Sequence, residues 1–331
     1  MKKNVLLTFD YELFLGARTG TVKNCLIEPT RKLCDILDKY NAKGIFFIDT
    51  LSLIKIREIL EMSKEYEQII IQLKKLISDG HYVFPHIHPH WLDAKYLNNK
   101  QFDLSDLSKY SLASINLETV ERIFNASMEL LLSLGVNSNS LGYRAGGWCI
   151  QPFSNYKDLF VKKEIKYDFS VLPGYKNETK EQRFDFSSID KILPYTFSNE
   201  VELPTAQGEF IEFPISTISI SSNIKFFDKI IRKILWKTGD RGFGDGISAR
   251  TASAKSNALD QEMISIDLLN VSKLKLYKSY INKNDYMHWI SHPKMFTKHG
   301  LKSLNQFLKY SHSNFMVEYD FIKMIEKQFS K

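Results

Sequence analysis

Cysteine is scarce in this chain, and long apolar runs are missing from it. Its 331 residues include only Cys25, Cys34 and Cys149, an odd and widely spaced set that argues against a disulfide framework and, without CxxC spacing, against a thiolate metal site. No segment approaches the roughly 20 consecutive apolar residues that a membrane-spanning helix needs. Asp10 and Glu12 interrupt the N-terminal apolar run before a signal-peptide core forms. Reduced thiols and the lack of an export signal predict a cytoplasmic protein.

Runs of a single charge sign are also absent. The chain has 45 lysines and arginines against 38 aspartates and glutamates, which gives a formal net charge of +7. The two signs are mixed along most of the sequence rather than gathered in an arginine-rich stripe, so we expect no nucleic-acid partner. The mild positive excess is compatible with anionic substrates such as nucleotide-linked sugars, or with peripheral contact with an anionic membrane surface. The oligomeric state is left open.

Internal repeats and convincing linkers are missing as well, which predicts a single domain over residues 1–331. Two segments nevertheless break the regular pattern. Residues 172–208 lack a clean period, and residues 238–258 are rich in Gly, Ser and Ala. We expect both to be irregular insertions, the second a long loop.

Short apolar, β-prone runs do alternate with longer amphipathic stretches, and this is typical of βα units. Strands are predicted at Val5–Phe9 and Gly44–Ile48, on either side of a helix over Pro29–Tyr40 that begins with proline. A helix over Ile69–Ser78 then leads to a strand at Tyr82–Phe84. Further strands are expected at Leu141–Tyr143, Tyr167–Val171, Phe210–Pro214 and Tyr286–Ser291, and further helices at Leu117–Leu134, Tyr156–Lys163 and in two C-terminal segments. The sequence therefore predicts an α/β fold.

The stretch DGHYVFPHIHPHW contains four of the eight histidines, and three of them follow the strand predicted at Tyr82–Phe84. In parallel α/β folds, ligands and catalytic groups collect at the carboxyl ends of strands, so this position favours a functional role. A helical turn would place His86 and His90 on one face, whereas an extended chain would place His86, His88 and His90 on one side. Pro89 disfavours a helix at His88. Either geometry can chelate a metal ion.

A second polar cluster ends the first predicted strand, in the motif TFDYE. Asp10 and Glu12 are two residues apart and point to the same side of an extended chain. Catalytic metal sites typically combine three protein ligands with a position for water, so two imidazoles need one carboxylate partner. The other carboxylate could accept a proton from the water. Which carboxylate takes which role is open at this point.

These motifs resemble those of the polysaccharide deacetylases of carbohydrate esterase family 4, also called the NodB-homology family. That family carries TFDDGP on its first strand, TFF on its second, and then GHEIGxH(S/T)xxH; this chain has LTFDYELF, GIFFI and GHYVFPHIHPH. Gly80, His81, His86 and His90 stand at the family's offsets. Tyr11 replaces the second aspartate of the family motif, as in a variant branch with D-x-D or D-x-E that is associated with O-antigen and capsule biosynthesis.

The resemblance implies a set of roles. His86, His90 and Glu12 would be the metal ligands, and Asp10 the catalytic base. The ion would be divalent, with zinc the first choice and cobalt, nickel, iron or manganese as alternatives. For His88 the sequence leaves open a supporting contact to a ligand, a substrate contact or a place as an alternative ligand.

Two later motifs agree with the resemblance. GYRAGGW is similar to the family's R-x-P-[FY]-G motif, without its proline, and implies that Arg144 orients the catalytic aspartate. WISHPKMF resembles the last family motif and makes His292 the general acid that protonates the departing amine. Trp91 and Trp148 are candidate platforms for a sugar ring, and Asp168 in YDFSV is a candidate partner for a histidine or an arginine.

As a member of this family, the chain would be a distorted (β/α) TIM-like barrel of about seven strands. Its activity would be metal-dependent removal of an N-acetyl group from an amino sugar, carried on a nucleotide or lipid and destined for a surface polysaccharide such as O-antigen or capsule. Three alternatives stay open: a carbohydrate-binding protein that has lost turnover, an O-deacetylase, and a phosphoesterase, which should show a second metal or additional basic residues.

Overall fold

The computed structural model describes residues 2–137, 141–249, 255–256 and 261–329. Its strands are β1 (Lys2–Tyr11), β2 (Gly44–Asp49), β3 (Tyr82–Ile87), β4 (Lys95–Leu97), β5 (Gln101–Asp103), β6 (Leu141–Ala145), β7 (Ile165–Asp168), β8 (Tyr175–Glu178), β9 (Arg183–Asp185), β10 (Tyr195–Phe197), β11 (Phe210–Glu212), β12 (Thr217–Ser219), β13 (Lys255–Ser256), β14 (Gln261–Met263), β15 (Tyr286–Ser291) and β16 (Met316–Glu318). Its α-helices are α1 (Glu28–Leu37), α2 (Thr50–Arg57), α3 (Ser63–Ser78), α4 (Leu117–Ser133), α5 (Lys157–Lys162), α6 (Ser222–Lys237), α7 (Val271–Lys283), α8 (Lys298–Asn314) and α9 (Phe321–Phe329).

One curled sheet organises the molecule. Its strand order is β10-β11-β7-β6-β3-β2-β1-β15, and β16 pairs with the start of β1. Every neighbouring pair from β15 to β11 is parallel, so seven parallel strands stand side by side, and β10 is antiparallel to β11. The segment after β11 makes backbone hydrogen bonds in two directions. Ile215 N–H donates to the carbonyl of Val171, which follows β7, and Ser216 N–H donates to the carbonyl of His288 in β15. The predicted α/β class and distorted (β/α) barrel are confirmed.

The strands form where the sequence has uninterrupted apolar runs. Every residue of β2 is buried, as expected for a strand of a parallel sheet that is covered on both faces. Helix α1 begins with Pro29 in its first turn, where the missing proline N–H leaves no helical bond unmade. Asn116 caps α4 by accepting the Thr119 N–H at 2.8 Å. These local signals explain why most predicted elements are found close to their predicted bounds.

Two strands run further than predicted, and this matters for the site. β1 continues to Tyr11 and β3 continues to Ile87, so Asp10 and His86 lie inside strands rather than in the loops that follow them. The predicted strand over Tyr167–Val171 is shorter in the structure, since β7 ends at Asp168. Strand geometry fixes the direction of the Asp10 and His86 side chains more tightly than a loop would.

The two predicted insertions have different structures. Residues 172–208 contain the short strands β8, β9 and β10 between irregular segments. Of residues 238–258, residues 250–254 and 257–258 lie outside the described residues, while Gly244 N–H donates to Lys294 and Ile247 N–H donates to Arg18. The second insertion therefore contacts the elements that carry the site. The single-domain prediction stays a prediction.

No helix within the described ranges combines the length and the apolarity that crossing a membrane requires.

Candidate active site

The carboxyl ends of the parallel strands hold a group of polar side chains around one cavity. Parallel pairing places His86 opposite Asp49 on β2 and opposite Arg144 on β6. A cavity of about 400 Å³ opens at this edge of the sheet. It is lined by Asp10, Glu12, Leu15, His86, His88, Tyr110, Ala145, Gly147, Trp148, Leu172, Tyr175, Gln182, Met263 and His292. The ends of the first and third strands thus converge, as the carboxylate and histidine motifs predict.

Glu12, His86 and His88 bring one ligand atom each into a small buried group. Glu12 Oε2 lies 3.3 Å from His86 Nε2 and 2.7 Å from His88 Nε2. The two Nε2 atoms are 2.9 Å apart. All three ligand atoms lie within 4.8 Å of one another. Two imidazoles with one carboxylate form a ligand set that suits zinc and related divalent ions.

Hydrogen bonding favours a metal ion in this group. His86 Nδ1 lies 2.7 Å from the Arg144 carbonyl, so Nδ1 donates its hydrogen and leaves a lone pair on Nε2. His88 Nε2 faces that lone pair and Glu12 Oε2 together. Three electron-rich atoms this close repel one another unless a proton or a cation lies between them. The residues present therefore fit a divalent cation.

The structure differs from the sequence prediction at one ligand, because His88 joins the group and His90 does not. The backbone stays extended through His88, with φ −109° and ψ 97°, so His86 and His88 point to the same side. A 3₁₀ turn over Pro89–Asp93 then carries His90 away. The His90 ring stacks on Tyr110 with centroids 5.3 Å apart, and neither of its nitrogens has a hydrogen-bond partner among the described residues.

Two glycines let the end of β6 approach this group. A Cβ on Gly146 would stand 2.7 Å from His88 Nδ1, and a Cβ on Gly147 would stand 2.5 Å from the Tyr110 ring. Gly147 also has a φ of +59°, which glycine adopts without strain. The sequence GGW, where the related motif has proline, is explained by this close packing.

A fully buried guanidinium holds Asp10. Nη1 of Arg144 donates to Asp10 Oδ1, and Nη2 donates to Thr8 Oγ1 at 2.7 Å. Nη2 also lies 3.0 Å from His288 Nε2, and Nε donates to the Phe169 carbonyl at 3.1 Å. With its nitrogens engaged on several sides, the guanidinium is fixed in one orientation. Arg144 occupies the place that the family resemblance implies for it.

His288 accepts a hydrogen bond from this guanidinium. Its Nδ1 lies 3.0 Å from the Phe213 carbonyl, so Nδ1 carries the hydrogen and Nε2 accepts from Arg144. Burial, assisted by the neighbouring Arg144 charge, lowers the pKa of His288 well below its usual value. His288 is therefore a neutral acceptor at physiological pH.

Electrostatics keep both site carboxyls ionised. Burial raises the pKa of Asp10, but the Arg144 guanidinium and nearby imidazoles outweigh that effect and the pKa lies below its usual range. Burial likewise raises the pKa of Glu12, but Lys294 and His88 lower it well below its usual value. Lys294 Nζ donates to Glu12 Oε1 at 2.9 Å, which leaves Oε2 directed at the two histidines. Asp10 and Glu12 are thus available as a proton acceptor and as a cation ligand.

His292 lies beside Asp10 at the cavity, and the Asp267 carboxylate holds its ring. Its Nδ1 lies 2.5 Å from Asp267 Oδ2, and its Nε2 lies 3.6 Å from Asp10 Oδ2. Burial lowers the pKa of His292, but Asp267 outweighs burial and raises the pKa to about 9. A protonated His292 therefore presents Nε2–H to the cavity at neutral pH.

The candidate platforms and Asp168 lie in different places. Trp148 lines the cavity, but Trp91 is fully buried and donates its indole N–H to Asp49 Oδ2 at 2.5 Å. Asp168 is buried and accepts the Ser170 N–H and hydroxyl, both at 3.0 Å. Trp91 and Asp168 therefore support the walls of the site from behind rather than facing its space.

Sequence patterns do not predict three further residues of the site, Lys294, Asp267 and His288. Lys294 lies two residues after His292 within the quoted motif WISHPKMF, so its position was available, but a lone lysine carries no signal that it contacts Glu12. Asp267 and His288 reach the site from segments without a recognisable motif. Tertiary contacts alone identify them.

Comparison with known proteins identifies the fold. No protein-family model matches the chain, and no curated protein matches it. A Mycobacterium smegmatis protein assigned as a polysaccharide deacetylase superposes with a TM-score of 0.52 at 14% identity, covering 99% of this chain and 90% of its own. This chain has the polysaccharide deacetylase fold.

The polysaccharide deacetylase fold also carries other chemistry. A 4-alpha-glucanotransferase from Thermococcus litoralis superposes with a TM-score of 0.50 at 13% identity, and the match covers 98% of this chain but 38% of the glucanotransferase. At such low identity the likeness concerns the fold alone. The reaction has to be argued from the side chains of the site.

Proposed function

We propose that this protein is a divalent-metal-dependent hydrolase that removes an N-acetyl group from an amino sugar. The observation that carries the proposal is the convergence, in one cavity, of the Glu12, His86 and His88 group with Asp10 and His292. A cation site, a base and an acid are the three components that amide hydrolysis requires. The polysaccharide deacetylase fold is in agreement with this reaction.

Glu12, His86 and His88 would hold the ion. When bound, a divalent cation supplies Lewis acidity at the acetyl carbonyl and a water of lowered pKa. Zinc suits the ligand set best, and cobalt, nickel, iron and manganese accept the same ligands. Lys294 fixes the Glu12 carboxylate through Oε1, so that Oε2 stays turned towards His86 and His88.

Asp10 acts as the general base. Arg144 occupies Oδ1 and leaves Oδ2 towards the cavity, 4.0 Å from His86 Nε2 and 3.6 Å from His292 Nε2. Because its pKa is lowered, Asp10 is ionised over the physiological range and can take a proton from the attacking water. The buried guanidinium holds this carboxylate in place while the proton moves.

His292 acts as the general acid. An amine is a poor leaving group until it is protonated, and His292 Nε2 faces the cavity, 3.6 Å from both Asp10 Oδ2 and Glu12 Oε1. Asp267 keeps the ring oriented through Nδ1 and favours its protonated form. After transfer, the proton ends on the sugar nitrogen, and acetate and the free amine are released.

The cavity walls support a sugar substrate. Trp148, Tyr110, Tyr175 and Met263 provide apolar surface, and Gln182 provides an amide group. Aromatic faces with a few polar groups are a common lining for sugar sites. We propose a carrier-linked amino sugar as substrate, on a nucleotide or lipid in the cytoplasm, in the assembly of a surface polysaccharide such as O-antigen or capsule.

Metal analysis of matched variants tests the proposal. We expect purified protein to bind one divalent ion and to release acetate from N-acetylated sugar substrates, and His88→Ala to lose both. His90→Ala is the control, because His90 is an equally buried imidazole that lies outside the group. Acetate release should fall by about 100-fold or more in His88→Ala and by much less in His90→Ala.

Three outcomes would contradict parts of the proposal. Loss of the ion from His90→Ala with retention in His88→Ala would assign the third ligand to His90. Stoichiometric metal with sugar binding but without acetate release from N-acetyl or O-acetyl sugars would make the protein a binding protein. Release from O-acetyl sugars alone would assign an O-deacetylase.

A further inference from the structure

Helix α6 buries one polar residue and leaves several large apolar residues exposed. Of its sixteen residues, all of them described, Asp228 is the one that is buried. The outward side chains include Phe226, Phe227, Ile230, Ile234 and Trp236, of which Phe226 is 61% exposed and Trp236 57% exposed. So many exposed aromatic and aliphatic side chains on one helix are unfavourable in water.

The inner face of α6 is anchored by a polar network. Asp228 Oδ1 accepts hydrogen bonds from Asn270 Nδ2 at 2.7 Å and Ser272 Oγ at 3.1 Å. Arg232 pairs with Asp228 Oδ2, and Lys273 Nζ lies 3.8 Å from the same oxygen. These contacts fix the rotation of the helix against the start of α7. Residues on the side opposite Asp228, such as Phe226 and Ile230, are therefore held in an exposed position.

The outward face is also positively charged. At about 100° per residue, Phe226, Phe227, Ile230 and Ile234 share an arc of roughly 100°. Of the exposed lysines of the helix, Lys237 lies within this arc, and Lys233 and Lys229 lie about 20° and about 60° beyond its edge at Phe226. Asp228 is the only acidic residue of the helix, and it faces inward.

Arg241, which follows the helix, is a further cation beside this face. Its guanidinium lies 5.4 Å from the Trp236 ring centre. Aromatic and aliphatic side chains with lysines beside them, and no outward carboxylate, are the pattern of a helix that lies in the plane of an anionic lipid surface.

We propose that α6 is an interfacial helix that seats this protein on an anionic lipid bilayer. Phe226, Phe227, Ile230 and Ile234 enter the boundary between headgroups and acyl chains, and the lysines contact lipid phosphates. The inference rests on the helix alone and stands independently of the proposed activity.

The chain on both sides of α6 leads to the candidate active site. β12, which ends two residues before the helix, pairs with β14, and Met263 of β14 lines the cavity. After the helix, Phe243 N–H donates to the Phe296 carbonyl and Gly244 N–H donates to the Lys294 carbonyl. If α6 lies on a lipid surface, short hydrogen-bonded segments on both sides of the helix connect that surface to the candidate active site.

Vesicle sedimentation tests the lipid interaction. The full chain is mixed with vesicles of phosphatidylcholine alone and with vesicles that also contain phosphatidylglycerol. We expect binding to the vesicles that contain phosphatidylglycerol, weaker at high salt, and little binding to phosphatidylcholine. Trp236 provides a second signal, since its emission should shift to shorter wavelength on binding, and Trp236→Phe should remove that shift.

Paired variants locate the contact. Phe227→Ser with Ile234→Ser should lower the partition coefficient by about tenfold or more. The matched control is Leu60→Ser with Met316→Ser, two exposed apolar side chains elsewhere, and should bind like the wild type. Lys229→Gln with Lys233→Gln should weaken binding roughly tenfold and flatten its salt dependence, whereas Lys64→Gln with Lys74→Gln on α3 should not.

Circular dichroism first confirms that each variant is folded. Absence of wild-type binding to the anionic vesicles would overturn the proposal, and so would equal binding by the α6 apolar variant. Sedimentation equilibrium supplies the remaining outcome: a wild-type dimer that this variant converts to monomer, without vesicle binding, would assign the helix face to a second copy of the chain.

Discussion

The division of labour between Asp10 and Glu12 is decided at the scale of single residues. They are two positions apart, Asp10 inside β1 and Glu12 just beyond its end, yet Asp10 faces Arg144 and Glu12 faces Lys294. Each carboxylate has one oxygen held by a cation and one left for the site. Sequence spacing places both on one side, but only the partners distinguish base from ligand.

His292 provides a prediction that depends on pH. Because Asp267 raises its pKa to about 9 against the effect of burial, His292 should stay protonated below that pH and lose its proton above it. Activity that needs this acid should therefore fall as the pH rises through about 9. In Asp267→Asn the alkaline limb should move to lower pH by about one unit or more.

The pH profile of kcat checks this prediction. Asn keeps a group near Nδ1 but removes the charge, so a shift of the limb reports the electrostatic effect. An unchanged alkaline limb in Asp267→Asn would mean that His292 is not the group that titrates.

At the scale of elements, His81 joins β2 to the start of β3. Its Nδ1 accepts the Gly44 N–H at 3.0 Å, which requires a ring without a proton on that nitrogen. Burial, with Lys43 as the next cause, lowers the pKa of His81 to about 4. The unfolded chain has an ordinary histidine pKa of about 6.5, so it takes up the proton first as the pH falls.

The stability that His81 contributes should be fully present above about pH 6.5 and should be lost as the pH falls towards 4. A shift of this size corresponds to about 3 kcal/mol of the free energy of unfolding. His81→Asn retains an acceptor but does not titrate, so its stability deficit relative to wild type should shrink across that range. Urea unfolding at several pH values measures this, and a deficit that is constant with pH would refute it.

Most elements follow from local signals, and α6 shows where these signals fail. Continuous apolar runs identify β1, β2 and β15, and Pro29 and Asn116 mark helix starts. Helix α6 has apolar residues on more than one side, half-buried ones such as Ile224 and Leu235 and exposed ones such as Phe226. The spacing of apolar residues alone therefore does not predict which side of this helix is buried.

At the scale of the whole molecule, the proposed ion ties together strands that are distant in sequence. Glu12 directly follows β1, and His86 and His88 lie at the end of β3 and just beyond it. An ion bound by folded protein alone adds stability by mass action, about 4 kcal/mol when its concentration is 1,000 times its Kd. Chelation should therefore lower the thermal midpoint of the wild type by several degrees or more.

Thermal unfolding with and without a chelator measures this stabilisation. His90→Ala should show the same chelator effect as wild type, and His88→Ala should show almost none. A wild-type midpoint that ignores chelator and added zinc alike would show that the group is a hydrogen-bonded cluster without an ion.

The sequence alone predicted most strands of the main sheet, several of the helices, the convergence of TFDYE with the histidine stretch, and the roles proposed for Asp10, Glu12, His86, Arg144 and His292. These depend on local propensity, side-chain alternation and motif order, all of which are written along the chain. Tertiary structure alone placed His88, and not His90, beside Glu12 and His86, and brought Lys294 and Asp267 to the site. It also decided that Phe226, Phe227, Ile230 and Ile234 of α6 are exposed. Those features depend on where an extended segment ends and on contacts between residues far apart in sequence, and neither leaves a pattern in the chain itself.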